Sequence, residues 1–298
     1  MQWPALPYAD WSDTCATLHM WTQVAGKIRM AKTPRVNHWW NVPLYVTSRG
    51  LGTSPIPDRS GTFEIDFDFL AHRLKIVTSD GDRRDFALRP MSVAEFYGRA
   101  ISALGELGID VSINTRPSEV ADPVRFEDDR EHHSYDADAA QRFWRALVCS
   151  SEVMKAFRAR FTGKVSPVHF FWGSFDLAVS RFSGRRAPKH PPVPGAPDSM
   201  IQEAYSHECS SVGWWPGGQG LDASYYAYAY PEPAGFSRAK VEPSAASWSD
   251  ELHEFILPYE AVRASRDPEQ MLTEFCQSTY EAGAELAQWP LQELERAS

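Results

Sequence analysis

Apolar and polar side chains alternate most clearly in "TFEIDFDF", where Phe63, Ile65, Phe67 and Phe69 share one side and Glu64, Asp66 and Asp68 the other. A period of two over that length predicts a half-buried β-strand. "RLKIVTSDG" reads as its hairpin partner and "DFALRP" as a further short strand. Upstream, residues 14–30 have helical spacing and are entered from Ser12 or Asp13, both good N-caps. The aromatic and β-branched run 38–49, "HWWNVPLYVTSR", predicts a strand, and "RGLGTSPIPDRSGT" a Gly/Pro loop. Ser92 and Glu95 form a capping box, after which Val93, Phe96, Tyr97, Ala100, Ile101, Leu104 and Leu107 keep helical spacing up to a stop at Gly108. "IDVSIN" reads as one more strand.

The segment 116–136, with Pro117, Pro123 and a run of acids, reads as a connector. A long helix is then predicted over about 137–161, with Ser150 and Ser151 as a point of interruption. Residues 167–182, "PVHFFWGSFDLAVSRF", predict a strand, and a Pro-rich loop follows. "AYSHECSSVGWW", "ASYYAYAYPEP" and "HEFILPYE" predict strands, and "GWWPGGQG" a turn. Asp267 and Pro268 stand as N-cap and first residue of a last helix.

The order helix, aromatic strand, Pro/Gly loop, strands, helix thus occurs twice. His38-Trp39-Trp40 precedes Arg49 much as His169-Phe170-Phe171 precedes Arg181, and "FALRPMSV" parallels "FILPYEAV". The expected fold class is α+β, mostly antiparallel sheet with helices on one face. Two similar halves, 1–115 and 137–298, form one compact unit by internal duplication. A curved, barrel-like sheet gripping a helix is the alternative.

Composition narrows the function classes. The 298 residues suffice to bury a real core, and 43% apolar with 23% charged residues is ordinary globular usage. A net charge of −9 without a clustered Lys/Arg surface argues against nucleic acid. No apolar run approaches a membrane span and the N-terminus lacks a signal-peptide pattern, so no membrane partner is expected. Cys15, Cys149, Cys209 and Cys276 stand far apart, which reads as free thiols in a reduced, cytoplasmic protein. There is no Walker loop, G-x-S-x-G or dinucleotide fingerprint, and the sequence leaves any cofactor unknown.

"NHWWNVPLYVTSRGL", "FEIDFDFLAHRL", "SPVHFFWGSFDLAVSRFSGR" and "YAYAYPEP" resemble a bacterial family known as domain of unknown function 5996, across nearly the whole chain. The resemblance implies a widespread soluble bacterial protein. It implies no activity, ligand or catalytic residue.

Candidate chemistry comes from the strand faces. Read as one continuous strand, 167–180 puts His169, Phe171, Phe175 and Leu177 on an apolar side and Trp172, Ser174 and Asp176 on a mixed one. The run 38–49 divides likewise, with His38 on the first side and Trp39 and Arg49 on the second. Two mixed faces turned together would enclose a cleft of rings and a few polar groups, the usual make-up of a small-molecule site. His169, Asp176 and His207 are the candidate catalytic residues, since imidazole and carboxylate can carry acid–base chemistry near neutral pH. His38, Trp39, Arg49, Trp172, Arg181 and Glu208 are the candidate ligand-binding residues, the arginines suiting an anion. The three imidazoles with Glu208 are also metal-ligand types, but their spacing matches no metal motif, and no metal residues are assigned. Glu64, Asp66 and Asp68 read as a charged strand face that Lys75 neutralises in part, with a divalent cation as the other possibility. Arg59, Arg185 and Arg186 lie in the Pro/Gly loops, and Gly184 and Gly195 mark the second loop as a candidate lid. The expected function is binding of a small anionic or aromatic molecule, with an acid–base enzyme as one form of it and a non-catalytic binding or interaction module, including a homo-oligomer contact, as the other.

Overall fold

The computed structural model describes residues 2–59, 61–193, 197–218 and 220–296. Helix α1, Ser12–Lys32, runs through the interior with fourteen of its residues buried, among them Leu18, Trp21, Val24 and Ile28. Its buried polar residues are hydrogen-bonded there, Gln23 to Ser118 and Arg29 to Asn41 O and Ser54. Its N-cap is Trp11, whose side chain caps nothing, so neither Ser12 nor Asp13 has the expected role.

The first sheet contains β1 (Tyr45–Val46), β2 (Gly50–Gly52), β3 (Ile56–Asp58), β4 (Gly61–Asp68), β5 (Arg73–Thr78) and β6 (Arg83–Ala87). Their order is β1-β2-β4-β5-β6 with β3 beside β4, all antiparallel. The alternation read in β4 holds: Phe63, Ile65 and Phe67 are buried, and Phe67 stacks on Phe96 of α2, Val93–Glu106, at 5.9 Å. Phe96 stacks in turn on Trp21 of α1 at 4.8 Å. Ser92 caps α2 by accepting from Glu95 N, and Gly108 leaves it with φ +74°.

Helix α3, Ala137–Ala159, is continuous: Ser150 and Ser151 are buried without interrupting it. The second sheet contains β7 (His169–Phe171), β8 (Asp176–Arg186), β9 (His207–Gly218), β10 (Leu221–Tyr230), β11 (Ser247–Ser249) and β12 (Glu254–Pro258), with α4, Asp198–Ala204, between β8 and β9. Its order is β11-β12-β10-β9-β8-β7, again antiparallel. The inner face, with Leu177, Val179, Val212, Trp214, Tyr225, Ala227, Phe255 and Leu257, is buried against α3, α5 (Tyr259–Arg263) and α6 (Pro268–Leu286). Asp267 caps α6 through Gln270 N. A short α7, Leu291–Leu294, ends the seven α-helices among the described residues.

Neither sheet closes, so the fold is α+β and not a barrel. The sheets are joined where Leu44 and Phe170 exchange two backbone hydrogen bonds of 2.9 Å. Trp172 ties α1 to this junction. Its indole N–H donates to Val42 O at 2.8 Å, and the ring occupies the space a Cβ at Gly26 of α1 would need.

Three predicted strands differ. Residues 37–39 form a 3-10 turn with His38 and Trp39 at positive φ, and of the predicted strand 38–49 Leu44 pairs as an isolated bridge with Phe170 and Tyr45–Val46 pair with the next strand. Residues 109–114 belong to no strand. Residues 167–182 are two strands separated by a turn at 172–175. In the second loop Gly184 belongs to β8 with φ +88°, while Gly195 lies outside the described residues. "GWWPGGQG" is largely the end of β9; the turn falls at Gly220 beside Gln219, which lies outside the described residues.

Candidate functional site

The turn at 172–175 reverses the strand and so resets which side chains share a face. His169 pairs with Ala178 and Phe171 with Asp176, which places His169, Phe171 and Asp176 together on the outer face of the second sheet. Trp172 goes inward instead, which corrects the face assigned to it. The same outer face carries Ser180 and Phe182 from β8; His207, Cys209, Ser211 and Gly213 from β9; Tyr226, Tyr228 and Tyr230 from β10; and Glu254 from β12.

Asp176 is the centre of one end of this face. One carboxylate oxygen accepts from Ser174 Oγ and the other from Tyr226 OH. Tyr226 belongs to β10 and reaches Asp176 on β8 across the intervening strand. It can do so because Gly213 lies between them: a Cβ there would fall inside the Tyr226 ring. Tyr228 lies parallel to Tyr226 at 6.2 Å, and its hydroxyl meets that of Tyr205 at 2.9 Å. Glu119, from the connector, rests its carboxyl where a side chain at Gly173 would stand.

Burial, then the charge of Asp176, raises Glu119 to about 7, and the same two causes in the same order raise Glu254 to about 7. Asp176 itself is raised by burial, against the pull of its two hydroxyl donors. Glu119 is reached by solvent, although burial is the main cause of its raised titration. Among the described residues none of the three carboxyls forms an ion pair. Asp68 is the contrast. Burial would raise it too, but Arg49 at 2.6 Å, Lys75 at 2.5 Å and the N–H groups of Leu70 and Ala71 hold it well below the carboxylate range.

The other end of the face holds His38 and His207, whose rings lie 5.9 Å apart over Phe182. Trp39 is beside them, half-buried under the Arg35 guanidinium at 4.3 Å, while Arg35 pairs with Glu203 of α4. Between the two ends sits His169. It is only 1% exposed, is ringed by Trp40, Tyr45 and Phe171 at 5.3–5.8 Å, and neither ring nitrogen has a hydrogen-bond partner. Burial, and then Arg29 and Arg158, lower it to about 3, so the ring stays neutral near pH 7.

The structure therefore brings Asp176, His169, His207 and His38 to one face, leaves Trp39 next to His38 in the chain with its ring under Arg35, and places the other four elsewhere. Arg49 is committed to Asp68 on the first sheet. Arg181 is fully buried on the inner face, stacked on Phe157 at 3.5 Å and Tyr280 at 4.3 Å, and burial lowers it to about 10. Glu208 points away from His207 and accepts from Ser183 Oγ and Arg185 Nε at 2.9 Å; Arg185 in turn caps α6 through Ala287 O at 2.6 Å. A joint His207–Glu208 metal site is thus absent, and no group of three or more His, Cys, Asp or Glu among the described residues is arranged to hold a metal ion. Glu119, Glu254 and the tyrosines were not singled out in the sequence. The alternating "YAYAY" held the signal for Tyr226 and Tyr228; nothing local marked Glu119.

Fold and site together define an α+β protein of two joined antiparallel sheets, one of which exposes a tyrosine- and carboxyl-bearing face. The chain belongs to a family of unknown function, DUF5996, whose model matches residues 3–296. No curated protein and no solved structure matches it. No helix among the described residues is long and apolar enough to cross a membrane.

Proposed function

We propose that this protein binds a small organic cation, an amine or amidine on an apolar body, at the outer face of the second sheet. One observation carries the reading: Asp176, Glu119 and Glu254 stand together with no countercharge among the described residues, whereas Asp68 has two cations. Carboxyls crowded in this way keep protons near neutrality, and an incoming cation relieves both their desolvation and their mutual repulsion. Tyr226 and Tyr228 supply ring faces that favour a cation beyond its charge. Glu119 and Glu254, titrating near 7, are also suited to exchange a proton with the bound molecule. The anion first expected is set aside because Arg49 and Arg181 are occupied elsewhere. Calorimetric titration with phenethylammonium, beside uncharged 2-phenylethanol, tests this. Binding of the amine alone, lost in Asp176→Asn and Glu254→Gln, supports it; equal binding of both, or of neither, contradicts it.

The internal duplication read from the sequence stays part of the proposal. Each half offers a helix followed by an antiparallel sheet and a closing helix, and the halves meet through their edge strands β1 and β7. Profiles of the two halves, built separately from family members, should match each other; profiles that do not would remove the idea.

A further inference from the structure

The far end of the same face collects positive charge without an acid to balance it. His207 and Arg186 are directly opposed across β9 and β8, so their side chains leave the sheet side by side. Lys164 lies over the rings of Trp40 at 5.3 Å and Phe182 at 5.4 Å, and its Nζ is 2.8 Å from His38 Nε2. An ammonium only donates, so His38 Nε2 must accept, and its Nδ1–H then donates to Ala204 O at 2.9 Å. His38 is thereby fixed as the neutral tautomer that holds Lys164 in place. His207 uses Nδ1 toward Ser206 Oγ at 3.0 Å, which leaves Nε2 turned to other partners. Neither Lys164 nor Arg186 forms an ion pair among the described residues. The nearby acid, Glu203, is taken by Arg35.

We propose that Lys164, Arg186 and His207 form a binding site for a small oxyanion, with Phe182 and Trp40 as its floor and His38 orienting the lysine. Strand pairing sets Arg186 beside His207, His38 holds Lys164 over Phe182, and hydrogen bonds from charged donors to phosphate or carboxylate oxygens are among the strong ones. The titrations agree with that geometry. His38 is lowered by burial, against its bond to Ala204 O, and further by Lys164 and His207, with Glu203 opposing; His207 by burial and then by Lys164 and Arg186; Lys164 by burial. An oxyanion seated among them favours the charged forms and so opposes these shifts. This inference does not rest on the cation reading, which concerns the opposite end of the face.

The test is histidine NMR on the full chain, titrated with pH in millimolar inorganic phosphate, in acetate, and in choline chloride of equal ionic strength. Phosphate should raise the His207 and His38 titrations, acetate should do so more weakly if the site prefers phosphate, and choline chloride should not. Lys164→Met and Arg186→Gln, both at exposed positions, should each weaken the phosphate effect about tenfold. Asp176→Asn should leave it intact, which separates this site from the cation site. A response to choline chloride equal to that of phosphate reduces the effect to screening and overturns the proposal. So does an unchanged phosphate response in both cation variants.

Discussion

At position 213 a missing side chain lets Tyr226 lie flat and hydrogen-bond Asp176 from two strands away. Gly213→Ala should lift that ring and remove one of the two donors to Asp176, with a stability loss of about 1–3 kcal/mol by denaturant unfolding. A variant as stable as the parent, with the Tyr226 environment unchanged in NMR, would contradict the arrangement. The carboxyls make a pH prediction with a definite sign. Glu119 and Glu254 sit at about 7 in the fold against an ordinary value of 4.5. Their folded forms hold protons that the unfolded chain has released, so their contribution to stability is full below about 4.5 and is lost as pH rises through about 7. The double variant Glu119→Gln, Glu254→Gln should flatten that part of the stability profile; an unchanged slope would count against the shifts. Residue chemistry was only partly legible in the sequence. Asp176, His38 and His207 stood out as polar groups among rings, but a free imidazole and an enclosed one look alike in a string, as His169 shows. Glu119 had no local mark because its place depends on the connector returning over Gly173.

Elements with regular periods were the readable ones. The strict alternation of β4, the Ser92–Glu95 box and the Asp267–Pro268 start all name a partner within a few residues, and local physics suffices to specify them. Ser92→Ala should cost about 1 kcal/mol through the lost bond to Glu95 N, seen as a lower melting temperature. No change would mean that tertiary packing alone sets the start of α2. The segment 167–182 failed for a physical reason. Its turn is built from Trp172, Gly173, Ser174 and Phe175, so apolar residues continue through it and only Gly173–Ser174 punctuates the run. Missing the turn inverts the faces before and after it, which is why Asp176 was set opposite His169. In 38–49 the β-propensity of the aromatic residues is overridden by tertiary contacts, with His38 and Trp39 held at positive φ.

For the whole molecule, α1 and Trp172 couple the two sheets. Gly26→Val places methyl groups where the Trp172 ring lies and should destabilise by about 1–3 kcal/mol or more, lowering the unfolding midpoint as a single transition. Loss of only part of the structure at that midpoint would show that the sheets are not coupled through this contact. The α+β class and its antiparallel pairing were legible because they follow from local periods, whereas the meeting of the sheets at Leu44 and Phe170 is a long-range fact that no window of sequence contains. The central claim, a cation seat at Asp176, Glu119 and Glu254, is tested most directly by the protons displaced on binding. Phenethylammonium is titrated calorimetrically at about pH 6.5 in buffers of different ionisation enthalpy, where carboxyls near 7 are largely protonated. Binding accompanied by net proton release, abolished in Asp176→Asn, is the expected result. Binding without proton release, or no binding in the parent protein, would contradict it.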